Sequence, residues 1–266
     1  MLIGRISLKK MHNLNFERVD LIYLKSKSKH TKSSFTMKRK FSTAALLMLA
    51  LGLGSLQAKA QKGDWANFKK YDASNQVVKT LSRTDRQVVF MGNSITEGWY
   101  NTDSSFFKTN HFIGRGISGQ TTSQMLVRFR KDVLDLQPKA VVILAGTNDI
   151  AGNTGDIALD NIMGNLASMA ELAKAHGIKV FLCSVTPAFD YPWSRGKQPN
   201  VKIPELNKMM KAYASKNNVH YVDYFSKLAD ARNGLPASLA KDGVHPTLDG
   251  YKIMEEIVLK AVKKAL

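Results

Sequence analysis

From about residue 87 to the C-terminus, short apolar runs alternate with longer stretches of mixed polarity. The runs at 88–91, 112–114, 140–144, 179–183 and 219–222 are too short for helices, and they predict strands whose two faces are both buried. The stretches 122–136, 157–176, 204–217 and 247–265 predict helices, with His176-Gly177 as a stop signal and Pro204 in a first helical turn. Strands separated by helices argue for βα units around a parallel sheet. The expected fold class is therefore α/β: a three-layer α/β/α arrangement with a five-stranded, parallel, doubly wound sheet of the flavodoxin-like kind. No internal repeat, linker or composition break divides residues 61–266, which are expected to form one domain.

The pattern differs upstream of that region. Lys38-Arg39-Lys40 follows Met37, residues 41–58 carry no charge, and Ala58-Lys59-Ala60 precedes Gln61. A basic start, an apolar middle and an A-x-A site are the three parts of a secretory signal peptide. Residues 37–60 are read as that signal, and the basic, Ser/Lys-rich residues 1–36 as a non-native upstream extension. A retained membrane anchor is the alternative, weakened by Gly52, Gly54, Ser55 and Gln57 within the run. The expectation is an exported protein, periplasmic or secreted, with no stable membrane insertion after cleavage.

Charge alters the picture less than its size suggests. Of the formal net charge of +18 in 266 residues, +10 belongs to residues 1–60, and the rest is spread without a basic stripe interleaved with aromatics. No nucleic-acid partner is expected. One cysteine, Cys183, excludes an intrachain disulfide framework and any zinc site built on several thiolates. His111, His176 and His220 lack metal-ligand spacing, so no metal or cofactor is expected.

A doubly wound sheet binds ligands beyond the carboxyl ends of its strands, which makes the residues there the candidate chemistry. Gly92-Asn93-Ser94-Ile95-Thr96-Glu97-Gly98 follows the first strand and exposes a serine hydroxyl at a turn, although a helix-capping serine reads the same way. Gly114-Arg115-Gly116-Ile117-Ser118-Gly119-Gln120 follows the second, where glycine lets a backbone N–H approach a bound oxygen closely. Gly146-Thr147-Asn148-Asp149 follows the third; the Asn148 amide is either an oxyanion donor or a turn residue. Asp242-Gly243-Val244-His245-Pro246 precedes the last helix, where Asp242 is able to hold one ring nitrogen of His245 and leave the other as a base. Glu97, close to Ser94, reads as a solvated carboxylate in a first helical turn.

Together these blocks resemble those of the SGNH, or GDSL-type, serine esterase and acylhydrolase superfamily over about residues 87–258. Asn93 stands where the usual Gly-Asp-Ser has aspartate, as in the branch resembling platelet-activating-factor acetylhydrolase subunits and carbohydrate acetylesterases. The resemblance implies Ser94 as nucleophile, Asp242 and His245 as its triad partners, and the Ser94 N–H, Gly119 and Asn148 as the oxyanion hole. It implies an acylated small molecule or glycan as substrate. The loop 187–199 follows the fourth strand and should overhang the crevice, which makes Tyr191, Trp193 and Arg195 candidate substrate contacts: aromatics for a sugar ring, a cation for a carboxylate. Short acyl groups, above all acetyl, are the expected esters. The alternatives are a lipase or lysophospholipase, and a catalytically silent glycan-binding module on the same fold.

Overall fold

The five apolar runs are strands because their side chains alternate between two covered faces of one sheet. The computed structural model describes residues 63–266; the readings of 1–36 and 37–60 fall outside the described residues. Strands β1 (Val88–Gly92), β2 (Phe112–Gly116), β3 (Ala140–Leu144), β4 (Lys179–Cys183) and β5 (His220–Val222) are all parallel, in the order β2-β1-β3-β4-β5. This is the expected doubly wound order, and the chain reverses direction across the sheet between β1 and β3. The crevice that results opens beyond Gly92, Gly116 and Leu144.

Nine α-helices accompany the sheet among the described residues: α1 (Asp72–Thr80), α2 (Ser94–Thr102), α3 (Ser104–Thr109), α4 (Thr122–Asp132), α5 (Thr147–Ile150), α6 (Leu159–Ala175), α7 (Pro199–Lys216), α8 (Phe225–Leu228) and α9 (Leu248–Ala265). Val89, Met91, Val141, Ile143 and Leu182 face the layer formed by α4, α6 and α7. Val88, Phe90, Val142, Leu144 and Phe181 face α2, α3 and α9. Each large side chain removed from water in this way contributes about 1.5–3 kcal/mol. Phe90 also meets Trp99 and Phe107 edge to face, with centroids at 5.6 and 5.2 Å.

Helix boundaries depart from expectation where the chain turns inward. The helix expected over 122–136 stops at Asp132, and a separate 3-10 turn covers Leu134–Leu136. An α-helix would set Leu134 and Leu136 about 200° apart, whereas both are buried in the same core. The helix expected from Pro204 begins at Pro199, so Pro204 is interior rather than first-turn. The Asn200 carbonyl, which no Pro204 N–H can reach, accepts instead from Asn233 Nδ2 at 3.0 Å. Gly177 does terminate α6: at φ +69 it lets its own N–H reach Lys174 O and the Ile178 N–H reach Ala173 O. Helices α1, α3, α5 and α8 had no counterpart in the sequence reading, and α2 only the helical turn read at Ser94–Glu97.

Candidate active site

Ser94 is the first residue of α2, two positions beyond the end of β1. The residue before it makes that start possible: Asn93, itself buried, accepts the Ile95 N–H on its Oδ1 at 2.9 Å. An amide oxygen serves as the N-cap acceptor as well as a carboxylate would. The Asn93 departure therefore leaves the turn geometry intact.

The loop before α9 reaches Ser94. His245 Nε2 lies 2.8 Å from Ser94 Oγ, and His245 Nδ1 lies 2.6 Å from Asp242 Oδ2. Asp242 Oδ1 accepts the backbone N–H groups of Val244 and His245 at 3.0 and 2.8 Å. Burial pushes the Asp242 carboxyl up, but the bonds from the His245 ring and the two N–H groups outweigh it and hold it below its ordinary value. An ionised Asp242 accepts from Nδ1–H, which leaves the Nε2 lone pair for the Ser94 hydroxyl.

Donors stand beyond the ends of β1 and of the two strands that flank it, β2 and β3. The Ser94 and Gly119 N–H groups have no acceptor among the described residues. The Asn148 side chain gives one N–H to Gln120 O at 2.9 Å and retains a second. Gly119 sits at φ +77, in a turn closed by Gln120 N–H on Ile117 O. Gly116 is tighter still, since a Cβ there would lie 2.2 Å from the Glu97 backbone nitrogen. The end of β2 thus rests directly on the first turn of α2.

Sequence reasoning missed the groups that hold these parts together. Arg128, fully buried, donates to Gly92 O at 3.0 Å, Arg115 O at 2.9 Å, Asp132 Oδ2 at 2.8 Å and Gln120 Oε1 at 2.5 Å, which ties the ends of β1 and β2 to the loop carrying Gly119. Its place on the buried stripe Met125, Arg128, Phe129, Asp132 is a signal the sequence did contain. Glu97 is not a free carboxylate: it accepts the Ser118 N–H and pairs with Lys70, both at 2.7 Å. Asp149, next to Asn148, accepts Thr122 N–H at 3.0 Å and Thr122 Oγ1–H at 2.5 Å.

Burial raises the Asp149 carboxyl from 3.8 to about 6 against the opposing bonds from Thr122. A carboxyl raised in the folded state favours folding below pH 4, and that contribution is lost as pH rises through 6. The stability of wild type relative to Asp149→Asn should therefore decline between pH 4 and 7 by about 3 kcal/mol at most. Urea unfolding of both proteins across that range measures it; parallel curves would contradict the assignment.

The aromatic loop does overhang the crevice, but its three candidates differ. Trp193 is about half exposed and its ring centroid lies 6.0 Å from that of His245. Its Nε1 donates to Asn153 Oδ1 at 3.2 Å, and Asn153 Nδ2 donates to Gly119 O at 3.0 Å, so one asparagine joins the two loops. Tyr191 corrects the expectation of a direct sugar contact. It is fully buried, bonded to Thr147 Oγ1 at 2.8 Å and stacked beneath Trp193 at 5.2 Å, because a phenol on an apolar floor needs an internal partner. Arg195 is exposed, with its charge met by Asp190 at 3.2 Å. Among the described residues no group of acidic, histidine or cysteine side chains is arranged to hold a metal ion.

Residues 90–253 match the model of the GDSL-like lipase/acylhydrolase family. The chain belongs to this family. With membership comes the reaction class, hydrolysis of carboxylic esters. A solved GDSL-like lipase from Bacteroides thetaiotaomicron is 50% identical, and the match covers 76% of this chain and all of that one at a TM-score of 0.74. An acetylxylan esterase of Geobacillus stearothermophilus is 25% identical over 158 residues, 56% of this chain and 71% of that protein. An uncharacterized lipoprotein of Bacillus subtilis, YqeF, is 32% identical over 120 residues, 39% of this chain. The chain spans about half the length of that lipoprotein, 49%.

Proposed function

We propose that this GDSL-family protein is an exported serine esterase that removes short acyl groups, acetyl foremost, from carbohydrate. The observation that carries the mechanism is the continuous relay Asp242–His245–Ser94, with contacts of 2.6 and 2.8 Å. A serine hydroxyl is a poor nucleophile until a base takes its proton. His245 Nε2 takes it as Ser94 Oγ attacks the ester carbonyl, and Asp242 stabilises the resulting imidazolium. The carbonyl oxygen becomes anionic and is met by the N–H groups of Ser94, Gly119 and Asn148, usually the largest single contribution to the rate. Protonated His245 gives its proton to the departing sugar oxygen. Water, activated by the same imidazole, then releases the acid and restores Ser94.

The substrate reading rests on the surroundings of the relay. An indole face beside His245 suits a sugar ring held over the reacting ester. The other exposed aromatic of the loop, Phe189, lies under the Arg232 guanidinium at 4.9 Å, so the rim is interrupted by charge rather than continuously apolar as an acyl chain would prefer. Similarity to an acetylxylan esterase supports the same class. Export is supported by the basic-apolar-A-x-A pattern at 37–60 and by similarity to a lipoprotein. Among the described residues no helix is long and apolar enough to cross a membrane.

The test is acyl-chain preference combined with removal of the indole. The value of kcat/KM for p-nitrophenyl esters should peak between acetate and butyrate. Trp193→Ala should lower cleavage of an acetylated xylo-oligosaccharide by about 10-fold or more while changing p-nitrophenyl acetate cleavage by less than about 3-fold, the difference one stacking platform supplies. A preference climbing steadily to octanoate would replace this reading with a lipase or lysophospholipase.

A further inference from the structure

The Glu97 carboxylate binds across the site rather than facing solvent. It stands one turn beyond Ser94 on α2, with a side chain only about one-fifth exposed. Its Oε2 accepts the Ser118 N–H at 2.7 Å, and Ser118 immediately precedes Gly119. Its Oε1 is held by Lys70 Nζ at 2.7 Å, which fixes the carboxylate from the opposite side. The turn Ile117–Gln120 is anchored at its far end, where Gln120 bonds to Asn148, Arg128 and Ala66, and at its start by Ile117 N–H on Gly92 O at 3.1 Å; at its centre Glu97 holds the Ser118 N–H, and Asn153 Nδ2 donates to Gly119 O at 3.0 Å.

We propose that Glu97 is a positioning residue that sets the spacing between the Ser94 and Gly119 N–H groups through its bond to Ser118. This rests on the esterase mechanism proposed above. Oxyanion donors act only when aimed at the place the developing charge will occupy, about 2.7–3.1 Å away, so small displacements cost rate rather than binding. One of those donors is borne by α2 itself and the other by the turn after β2. A carboxylate on α2 that accepts a charge-assisted hydrogen bond from this turn is a direct side-chain link between them. Lys70 keeps that carboxylate from rotating to solvent.

The chemistry predicts a loss in kcat with little change in KM. Glu97→Ala should lower kcat for p-nitrophenyl acetate by about 10- to 100-fold, below the 10²–10³-fold typical of deleting a donor outright, with KM within about 2-fold. Glu97→Gln, which keeps an acceptor oxygen, should stay within about 3-fold of wild type. Ser118→Pro deletes the same bond from the donor side, and proline suits the second position of the turn Ile117–Gln120. It should reproduce the loss, and adding Glu97→Ala to it should cost little more. If Glu97→Ala does not fold, the Gln and Pro variants carry the test alone. Wild-type kcat in Ser118→Pro, or equal losses in the Gln and Ala variants, or fully additive losses in the double variant would overturn the proposal. Fluorophosphonate labelling of wild type separates the two readings: absence of label at Ser94 would reject the esterase mechanism itself, whereas labelled wild type with an unaffected Ser118→Pro rejects the role of Glu97 alone.

Discussion

Ser94→Ala is expected to lower kcat on p-nitrophenyl acetate by about 10⁴-fold or more while leaving the fold and KM close to wild type. The hydroxyl is the only group at the site both at hydrogen-bond distance from the His245 base, 2.8 Å, and adjacent to the free N–H donors. Without it the donors still polarise a bound carbonyl, so a residual rate above that of the uncatalysed reaction should remain. Ser94 opens α2 without capping it, since Asn93 Oδ1 already takes the Ile95 N–H, so its loss removes chemistry and little stability. Steady-state kinetics on protein free of contaminating esterase, with a thermal melt as control, measures the result. A variant within 10-fold of wild type would show that Ser94 is not the nucleophile.

The second large effect is on stability. Arg128→Met should destabilise the fold by about 3–5 kcal/mol, the scale of removing one partner from a buried ion pair. Asp132 would keep only the Asn75 amide at 2.7 Å, and the carbonyls of Gly92 and Arg115 and the Gln120 side chain would lose their guanidinium donor. Gly92 O would keep the Ile117 N–H at 3.1 Å, but the buried Gln120 side-chain oxygen and half of the Asp132 carboxylate would lose a partner whose desolvation nothing then offsets. Urea unfolding should show the lower midpoint with an unchanged slope. Arg128→Met with Asp132→Leu should recover part of the loss, because the orphaned charge goes too. A single variant within 1 kcal/mol of wild type would mean that water replaces the guanidinium at no cost.

Residue pattern reveals what is repeated and conceals what is used once. The five strands were legible because both faces are buried, which leaves unbroken apolar runs such as 140–144. The candidate site was legible because a doubly wound sheet presents ligands at strand ends, where Ser94, Gly119 and Asn148 stand, while the Asp242–His245 pair lies on the loop before the last helix. Beyond the first turn of α2, helices α2 and α3 were not, since nine and six residues hold too few turns for a period, and their apolar side chains, Trp99, Phe106 and Phe107, serve an aromatic cluster with Phe90 rather than a stripe. Arg128, Glu97 and Tyr191 were misread or missed for one reason. A charged or polar side chain is assigned to solvent until its partner is known, and the partners here lie between 8 and 44 positions away along the chain for Arg128 with Gln120, for Glu97 with Ser118 and Lys70, and for Tyr191 with Thr147. Pro204 was placed at a helix start because nothing local signals that Asn233 would satisfy Asn200.

The docking of α9 on α2 gives the site a temporal order. Tyr251 donates to Ile95 O at 2.9 Å and stacks on Trp99 at 5.5 Å, and Glu255 receives the Trp99 indole N–H at 3.1 Å. Ser94 and His245 are separated by 151 positions, and this docking seats the helix that follows His245 against the helix that Ser94 opens. During synthesis the oxyanion donors of Ser94, Gly119 and Asn148 are therefore made long before the imidazole that would activate Ser94. A nascent or clipped chain lacking α9 keeps Asp242 and His245 but loses the Tyr251 and Glu255 bonds that dock the following helix on α2, so on the proposed mechanism its base is no longer held at Ser94. Closing a contact of such long range is slow relative to local helix formation. The proposed activity is in this sense dormant until the fold is complete.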